Sequence, residues 1–323
     1  MRLFVLGASA GGRKAVAKAL EEVEEAKTAA FLVVVHGSSD GPSFFPKILS
    51  QKISMEVLEP ENGTNIEAGK VYVSKPNHHL FVHDSKIFLS NGPRENLFRP
   101  SVDVLFRSAA VAYGNCCVGI LLTGRLNDGT AGLEAIKKCG GLTIIQNPAT
   151  AEFSDMPLNA AESVDIDYVV NLEDMGSVIN KILKEKAPER IELPASIVRE
   201  NKIAIKIGSQ IALEETLGQQ VPISCSTCGG PLWKIADSKI NRYRCHVGHA
   251  FTEEALLKSQ NNALEEALWI AMRTLEEKKM LLERVNRDYH KKGVKSLSAT
   301  HSEKIEDVQK QINKLRNVLQ IPD

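Results

Sequence analysis

The opening stretch constrains the fold of this chain more than any other. A short apolar run, Leu3–Leu6, passes directly into Gly7-Ala8-Ser9-Ala10-Gly11-Gly12 and then into a helix-spaced segment, Ala15–Val23. A strand, a glycine loop and a helix in that order begin a βαβ unit, which demands a parallel sheet. The alternation continues downstream. Phe31–Val35 is β-rich, and Phe44–Gln51 reads as a helix. Ser101–Tyr113 has helical spacing through Val104, Leu105, Ser108 and Val111, and Val118–Leu122 is an apolar strand. A helix is predicted from about Asp128 to Lys138, then a strand over Leu142–Ile145 and a helix around Met175–Lys186. Val71–Val73, Leu80–Val82 and Ile87–Leu89 alternate with polar residues and suit a hairpin-like insertion near residues 70–90. Residues 1–186 are therefore expected to form an α/β domain on a mainly parallel sheet.

Near Lys186 the pattern changes. Residues 187–222, with Pro188, Pro194 and Pro222, read as a linker, with room for a helix at Ser209–Leu217. A compact Cys/His module is predicted at 223–251 and a helical region at 252–323. There Leu264, Leu268, Ala271, Leu275, Leu282 and Val285, and then Ile305, Val308, Ile312, Leu315 and Leu319, recur on three- and four-residue steps around the polar break Lys291–Ser302. An intramolecular helical hairpin is the favoured reading, with self-association as a coiled coil the alternative. The 323 residues carry forty Lys+Arg and forty Asp+Glu. Zero net charge speaks against blanket attraction to nucleic acid or anionic lipid. No apolar run approaches the roughly 18 residues that span a bilayer, so no membrane insertion is expected. Leu3–Leu6 is too short for a signal peptide. Three of the six cysteines lie near histidines, which favours metal over disulfide in a chain without a secretion signal. The expected location is the cytoplasm.

The glycine loop supports two chemistries. Small residues at a helix N-terminus can cradle a phosphate, but the dinucleotide pattern fails because position 9 is Ser and the second strand ends at His36 rather than an acid. Gly7-x-Ser9-x-Gly11 also fits a nucleophile turn, in which glycines let a sharp strand-to-helix bend project the hydroxyl. Such a serine needs a base, and the base needs an orienting group. His36 ends the second strand, and Asp128 follows the strand Val118–Leu122 and its turn. In an open parallel sheet these are all carboxyl ends, where chemistry gathers. Each residue alone has a plainer reading: a small-residue loop, a surface or capping His, and an N-capping Asp.

Gly7-Ala8-Ser9-Ala10-Gly11-Gly12, Val34-Val35-His36, Arg99-Pro100-Ser101-Val102-Asp103-Val104-Leu105-Phe106, Leu122-Thr123-Gly124, Asn127-Asp128-Gly129 and Met156-Pro157 occur in that order. As a set, over roughly residues 1–185, they resemble the catalytic domain of CheB, the bacterial chemotaxis protein-glutamate methylesterase. The resemblance implies a doubly wound α/β sheet with helices on both faces and a Ser9-His36-Asp128 triad. It also implies an oxyanion site at the backbone N–H groups of Ala10 and Arg125. The implied reaction is hydrolysis of glutamyl γ-methyl esters on a methyl-accepting chemoreceptor or similar protein, with glutamine deamidation as a second activity and no cofactor for catalysis. The sequence departs from the family at Arg125-Leu126, where the turn usually reads Met-Gly, and at Asp155, where a glycine often precedes Met-Pro. These departures leave the triad and bear on rate and substrate choice. CheB proteins typically carry an N-terminal receiver domain. This chain starts at the catalytic strand, so its control is expected to be absent or supplied elsewhere. Arg99 fits either a substrate clamp or a helix entry capped by Ser101. His78 and His79 are expected in a surface loop.

Cys225-x2-Cys228 and Cys245-x3-His249 are separated by sixteen residues. Two short ligand pairs across a β-like segment suit a tetrahedral structural zinc ribbon, and four protein ligands leave no open catalytic position. His246 competes as fourth ligand, but adjacent Cys245 and His246 have difficulty reaching one ion. The region resembles C-terminal extensions of some CheB-like proteins, where Arg often stands at the position of His246. The alternative to an esterase is a weakened CheB-like domain acting as a receptor-binding scaffold through its zinc and helical extension.

Overall fold

A computed structural model describes residues 1–24, 26–37, 43–186, 188, 191–205, 218–293 and 295–319. The chain falls into two units, Met1–Leu256 and Leu257–Asp323.

The first unit is built on β1 (Arg2–Ala8), β2 (Ala29–Val35), β3 (Glu56–Leu58), β5 (Lys70–Val73), β8 (Cys117–Leu121), β9 (Leu142–Gln146) and β10 (Tyr168–Val170). They form one seven-stranded sheet in the order β10-β9-β8-β1-β2-β5-β3. Every pairing in it is parallel. Strands buried on both faces need apolar residues at successive positions, and Leu3–Leu6 and Phe31–Val34 supply them at 0% exposure. Alternate residues then feed two cores. Leu3, Val5, Leu32 and Val34 pack with α3 (Val102–Tyr113), α4 (Thr130–Lys138) and α5 (Asp155–Ser163). Phe4, Leu6, Phe31 and Val33 pack with α1 (Gly12–Glu21), α2 (Phe45–Ser50) and α6 (Met175–Lys184). Helices therefore cover both faces, as a doubly wound sheet requires. Strand β1 lies between β2 and β8, where the strand order reverses. The crevice outside such a reversal point is where doubly wound sheets bind ligands.

Three expectations are corrected. Val71–Val73 lies inside the main sheet as β5, because Val71, Tyr72 and Val73 are buried on both faces. The small antiparallel sheet is instead β4 (Thr64–Asn65), β7 (Lys86–Ser90) and β6 (His79–His83). His79 opens β6 and is 4% exposed, so it is no surface residue. Its Nε2–H donates to the Pro93 carbonyl (2.9 Å) and its Nδ1 accepts from the Ser101 N–H (3.2 Å). Burial lowers its pKa and favours this neutral form. Residues 187–222 are not bare linker: α7 (Ala195–Ile205) buries Ile197, Glu200 and Asn201, and β11 (Gly218–Ser224) begins here. The helix suggested at Ser209–Leu217 lies outside the described residues.

Strand β11 joins β12 (Pro231–Ile235), β13 (Arg242–Cys245) and β14 (Ala250–Thr252) in a four-stranded antiparallel sheet. Its core of Leu232, Tyr243 and Phe251 is small. Helix α8 (Glu253–Lys291) follows. In the second unit α8 pairs with α9 (Lys295–Val318) as the predicted hairpin, burying Met272, Val308 and Ile312 with Leu275, Leu282 and Leu315 alongside. Among the described residues no helix is long and apolar enough to cross a membrane.

Candidate functional site

Three strand ends build the site. Ser9 follows β1, His36 follows β2, and the turn Leu122–Asn127 carries the chain from β8 to Asp128. The first two are neighbours because Ala8 pairs with Val35 and the His36 N–H donates to the Ala8 carbonyl (3.0 Å). The glycine loop and the β8 turn are laced together. The Ser9 N–H donates to the Thr123 carbonyl (3.0 Å), and the Thr123 hydroxyl donates to the Ala10 carbonyl (3.2 Å). Gly11 turns the chain with φ 72°, a left-handed conformation that favours glycine. Gly124 is wedged between Ser9 and Met156: a Cβ there would lie 2.7 Å from Ser9 Cβ and overlap the Met156 sulfur. The turn thus presses directly on the serine.

Asp128 is fully buried, and both its oxygens are occupied. Oδ2 accepts from His36 Nε2 (2.8 Å) and the Val102 N–H (2.7 Å). Oδ1 accepts from Asn96 Nδ2 (2.9 Å), the Ser101 hydroxyl (2.9 Å) and the Asp103 N–H (3.3 Å). Burial alone would raise its pKa, but these hydrogen bonds, first that from His36, hold it below the usual carboxylate range. Its side chain therefore does not cap α4, whose N-cap is Gly129. Likewise the Ser101 hydroxyl makes no cap bond to α3 and serves Asp128 instead. Asn96 Nδ2 also donates to Asp103 (2.7 Å), so one amide separates two buried carboxylates. Burial and the Asp128 charge push Asp103 up to about 7.

With Nε2 committed to Asp128, the remaining His36 nitrogen, Nδ1, is buried and has no hydrogen-bond partner among the described residues. The ring stacks on Phe98, centroids 3.7 Å apart and planes 12° from parallel. Among the described residues neither the Ala10 nor the Arg125 N–H donates an internal hydrogen bond. Arg125 is exposed and its guanidinium lies 5.0 Å over the Phe153 ring. Leu126 has φ 64°, left-handed backbone that suits glycine and strains leucine. The Asp155 carboxylate accepts its N–H (3.4 Å) and Asn159 Nδ2 donates to its carbonyl (3.3 Å). The two departures at 126 and 155 therefore touch each other. Arg99 donates to Asn77 Oδ1 (2.8 and 2.9 Å) and to the carbonyls of Asn91 (2.7 Å) and Gly92 (2.8 Å), tying two loops together.

In the Cys/His module two matching turns face each other. The Gly229 N–H donates to the Cys225 carbonyl (2.8 Å), and the Gly248 N–H donates to the Cys245 carbonyl (2.9 Å). The potential ligand atoms of Cys225, Cys228, Cys245 and His249 all lie within 4.8 Å of one another. Cys228 and Cys245 sulfurs are 3.6 Å apart, near the edge of a tetrahedron with metal–sulfur bonds of about 2.3 Å. The His246 ring packs under Gly230, where a Cβ would overlap it. Asn96, Phe98 and Ser101 were not singled out from sequence as parts of this site; only Ser101 sat in a recognisable block, and there as a cap.

The profile of the CheB methylesterase family matches residues 4–179. A Leptospira interrogans protein named for protein-glutamate methylesterase/protein-glutamine glutaminase is 37% identical over 190 residues, covering 58% of this chain and 97% of the relative. An Anaeromyxobacter dehalogenans protein-glutamate methylesterase/protein-glutamine glutaminase is 33% identical over 184 residues, covering 57% of this chain and 54% of the relative. The crystal structure of the Thermotoga maritima CheB methylesterase catalytic domain superimposes with a TM-score of 0.52 at 26% identity, covering 56% of this chain and 98% of that one. The matched span holds the doubly wound sheet and all three strand ends described above, and the chain belongs to the CheB methylesterase family.

Proposed function

We propose that this chain is a protein-glutamate methylesterase, with glutamine deamidation as a second activity of the same site. Ser9 is the nucleophile, His36 the base and Asp128 the orienting acid. One observation carries this reading: His36 is fixed through Nε2 by an ionised, buried Asp128, which leaves Nδ1 buried and, among the described residues, without a partner at the strand end next to that of Ser9. Nδ1 takes the Ser9 proton as Oγ attacks the ester carbonyl. Asp128 stabilises the imidazolium that forms. The oxyanion draws on the N–H groups of Ala10 and Arg125. His36 returns the proton to the leaving methoxide, methanol departs, and water repeats the cycle on the acyl-enzyme. The substrate class is a methylated receptor segment or similar methylated protein, and Arg99 shapes the edge of the site by holding its loops. A fluorophosphonate probe is expected to label the chain at Ser9, with peptide mapping as the readout. A chain left unlabelled, or labelled elsewhere, contradicts the assignment.

Cys225, Cys228, Cys245 and His249 are the ligands of a structural zinc ion. The donor set suits this: three soft thiolates and one imidazole, gathered on two turns in a module whose own core is small. Bound zinc would cross-link the two turns, and no catalytic step passes through it. Metal analysis is expected to find about one zinc per chain after purification. The Cys225→Ala/Cys228→Ala variant is expected to lose it, and retention there contradicts the ligand set.

A further inference from the structure

Segment 95–98 touches the Cys/His module on one side and both partners of Ser9 on the other. Toward the module, Glu95 pairs with Arg244 of β13 (2.6 Å), and Leu97 packs into the cluster of Cys225, Leu232 and Phe251. Toward the site, Asn96 donates to Asp128 and Phe98 stacks on His36. Asn96 and Leu97 have φ 50° and 74°; asparagine tolerates this left-handed backbone, but leucine does not adopt it readily on its own. Strand β14 holds them there. The Asn96 N–H donates to the Ala250 carbonyl (2.8 Å), and the Thr252 N–H donates to Asn96 Oδ1 (2.9 Å). The second bond decides which end of the Asn96 amide faces Asp128. With its oxygen held by Thr252, its nitrogen must point at the carboxylates. The Thr252 hydroxyl meanwhile donates to Oδ1 of Asn127, the neighbour of Asp128 (2.8 Å), and accepts the Ala255 N–H at the start of α8 (3.3 Å). Thr252 is 1% exposed, so water does not replace these contacts.

The geometry points to Thr252 as a positioning residue for the esterase, through which the docked Cys/His module aims Asp128 and His36 at Ser9. The inference rests on the triad reading above. It gives the module a function beyond its own folding: the base and acid are held in line only while β14 grips both segment 95–98 and, through the Thr252 hydroxyl, Asn127 beside Asp128. Thr252→Val keeps the shape and the backbone N–H, and with it the bond to Asn96, and deletes only the hydroxyl that holds Asn127, the residue leading into Asp128; Thr252→Ser keeps that hydroxyl. Leu97→Ala loosens the same segment on its module side without touching His36 or Asp128.

The test measures fluorophosphonate labelling rate and the hydrolysis of p-nitrophenyl acetate by the full chain. Thr252→Val is expected to lower labelling and kcat roughly ten- to a hundred-fold. Its KM should stay within about two-fold, since transition-state alignment rather than binding is lost. Thr252→Ser should restore most of the rate. Leu97→Ala should lower kcat in the same direction, and it decides the matter if Thr252→Val does not fold. A folded Thr252→Val or Leu97→Ala with wild-type kcat overturns the inference and leaves the triad intact. A wild-type chain that neither labels nor hydrolyses overturns the triad reading and this inference with it.

Discussion

Asp128→Asn is expected to lower kcat by about ten-thousand-fold with little change in KM. All five groups facing this carboxylate donate to it. An amide nitrogen placed at Oδ2 would confront the Val102 N–H and force His36 to turn a lone pair toward it. The imidazole proton would then sit on Nδ1, the nitrogen proposed to accept from Ser9. An amide nitrogen placed at Oδ1 would confront Asn96 Nδ2 and the Asp103 N–H instead, and the segment that aims the carboxylate would shift. Neither orientation keeps both the tautomer and the support. Initial rates on a small ester measure the effect. A variant within about ten-fold of wild type would contradict the assigned role of Asp128.

Glu200→Gln is expected to destabilise the first unit by about 3–5 kcal/mol. Glu200 on α7 is 3% exposed and faces two buried guanidiniums: Arg242 of β13 at 2.5 and 3.0 Å, and Arg107 of α3 at 3.4 Å. Arg107 also pairs with Glu95 (3.0 Å), which pairs in turn with Arg244. Three cations and two anions thus form one buried chain joining the parallel-sheet core to the Cys/His module. Removing one anion leaves Arg242 buried without its partner, a far larger penalty than losing a surface pair. Urea midpoints on the full chain measure it, and a shift worth less than about 1 kcal/mol would contradict the account. The same chain predicts an acid limb. Burial would raise Glu95 and Glu200, but the adjacent arginines hold both down to about 2, against an ordinary 4.5. The folded state therefore binds fewer protons than the unfolded state between those values. The stabilisation is present above pH 4.5 and is lost as the pH falls toward 2.

The strand ends were legible in the sequence because their positions follow from local pattern. An apolar run, a glycine loop and a helix place Ser9 at a carboxyl end whatever else the chain does, and the same holds for His36 and for the turn before Asp128. What surrounds them was not legible. Thr252 and Asn96 are 156 residues apart, and no spacing rule joins them. Ser101 sits where a helix cap belongs, so its capping role outranked the bond it makes across the fold to Asp128. Val71–Val73 is too short for alternation to tell a hairpin from a buried parallel strand. The clustering of the two Cys/His pairs was legible because each pair is local, whereas the docking of their module depends on buried ion pairs between residues that read singly as surface charges. The missing glycine at Leu126 was legible as a departure, but its left-handed backbone and its contact with Asp155 needed the folded chain.

Cleavage of glutamyl methyl esters by Ser9, with His36 as base and Asp128 as orienting acid, is the activity proposed for this chain. It is tested most directly by incubating the full chain with a carboxymethylated chemoreceptor fragment and following methanol release. Steady release is expected from the wild type and, with Ser9→Ala, a loss of at least about a thousand-fold. No release by the wild type, or equal release by Ser9→Ala, would contradict it.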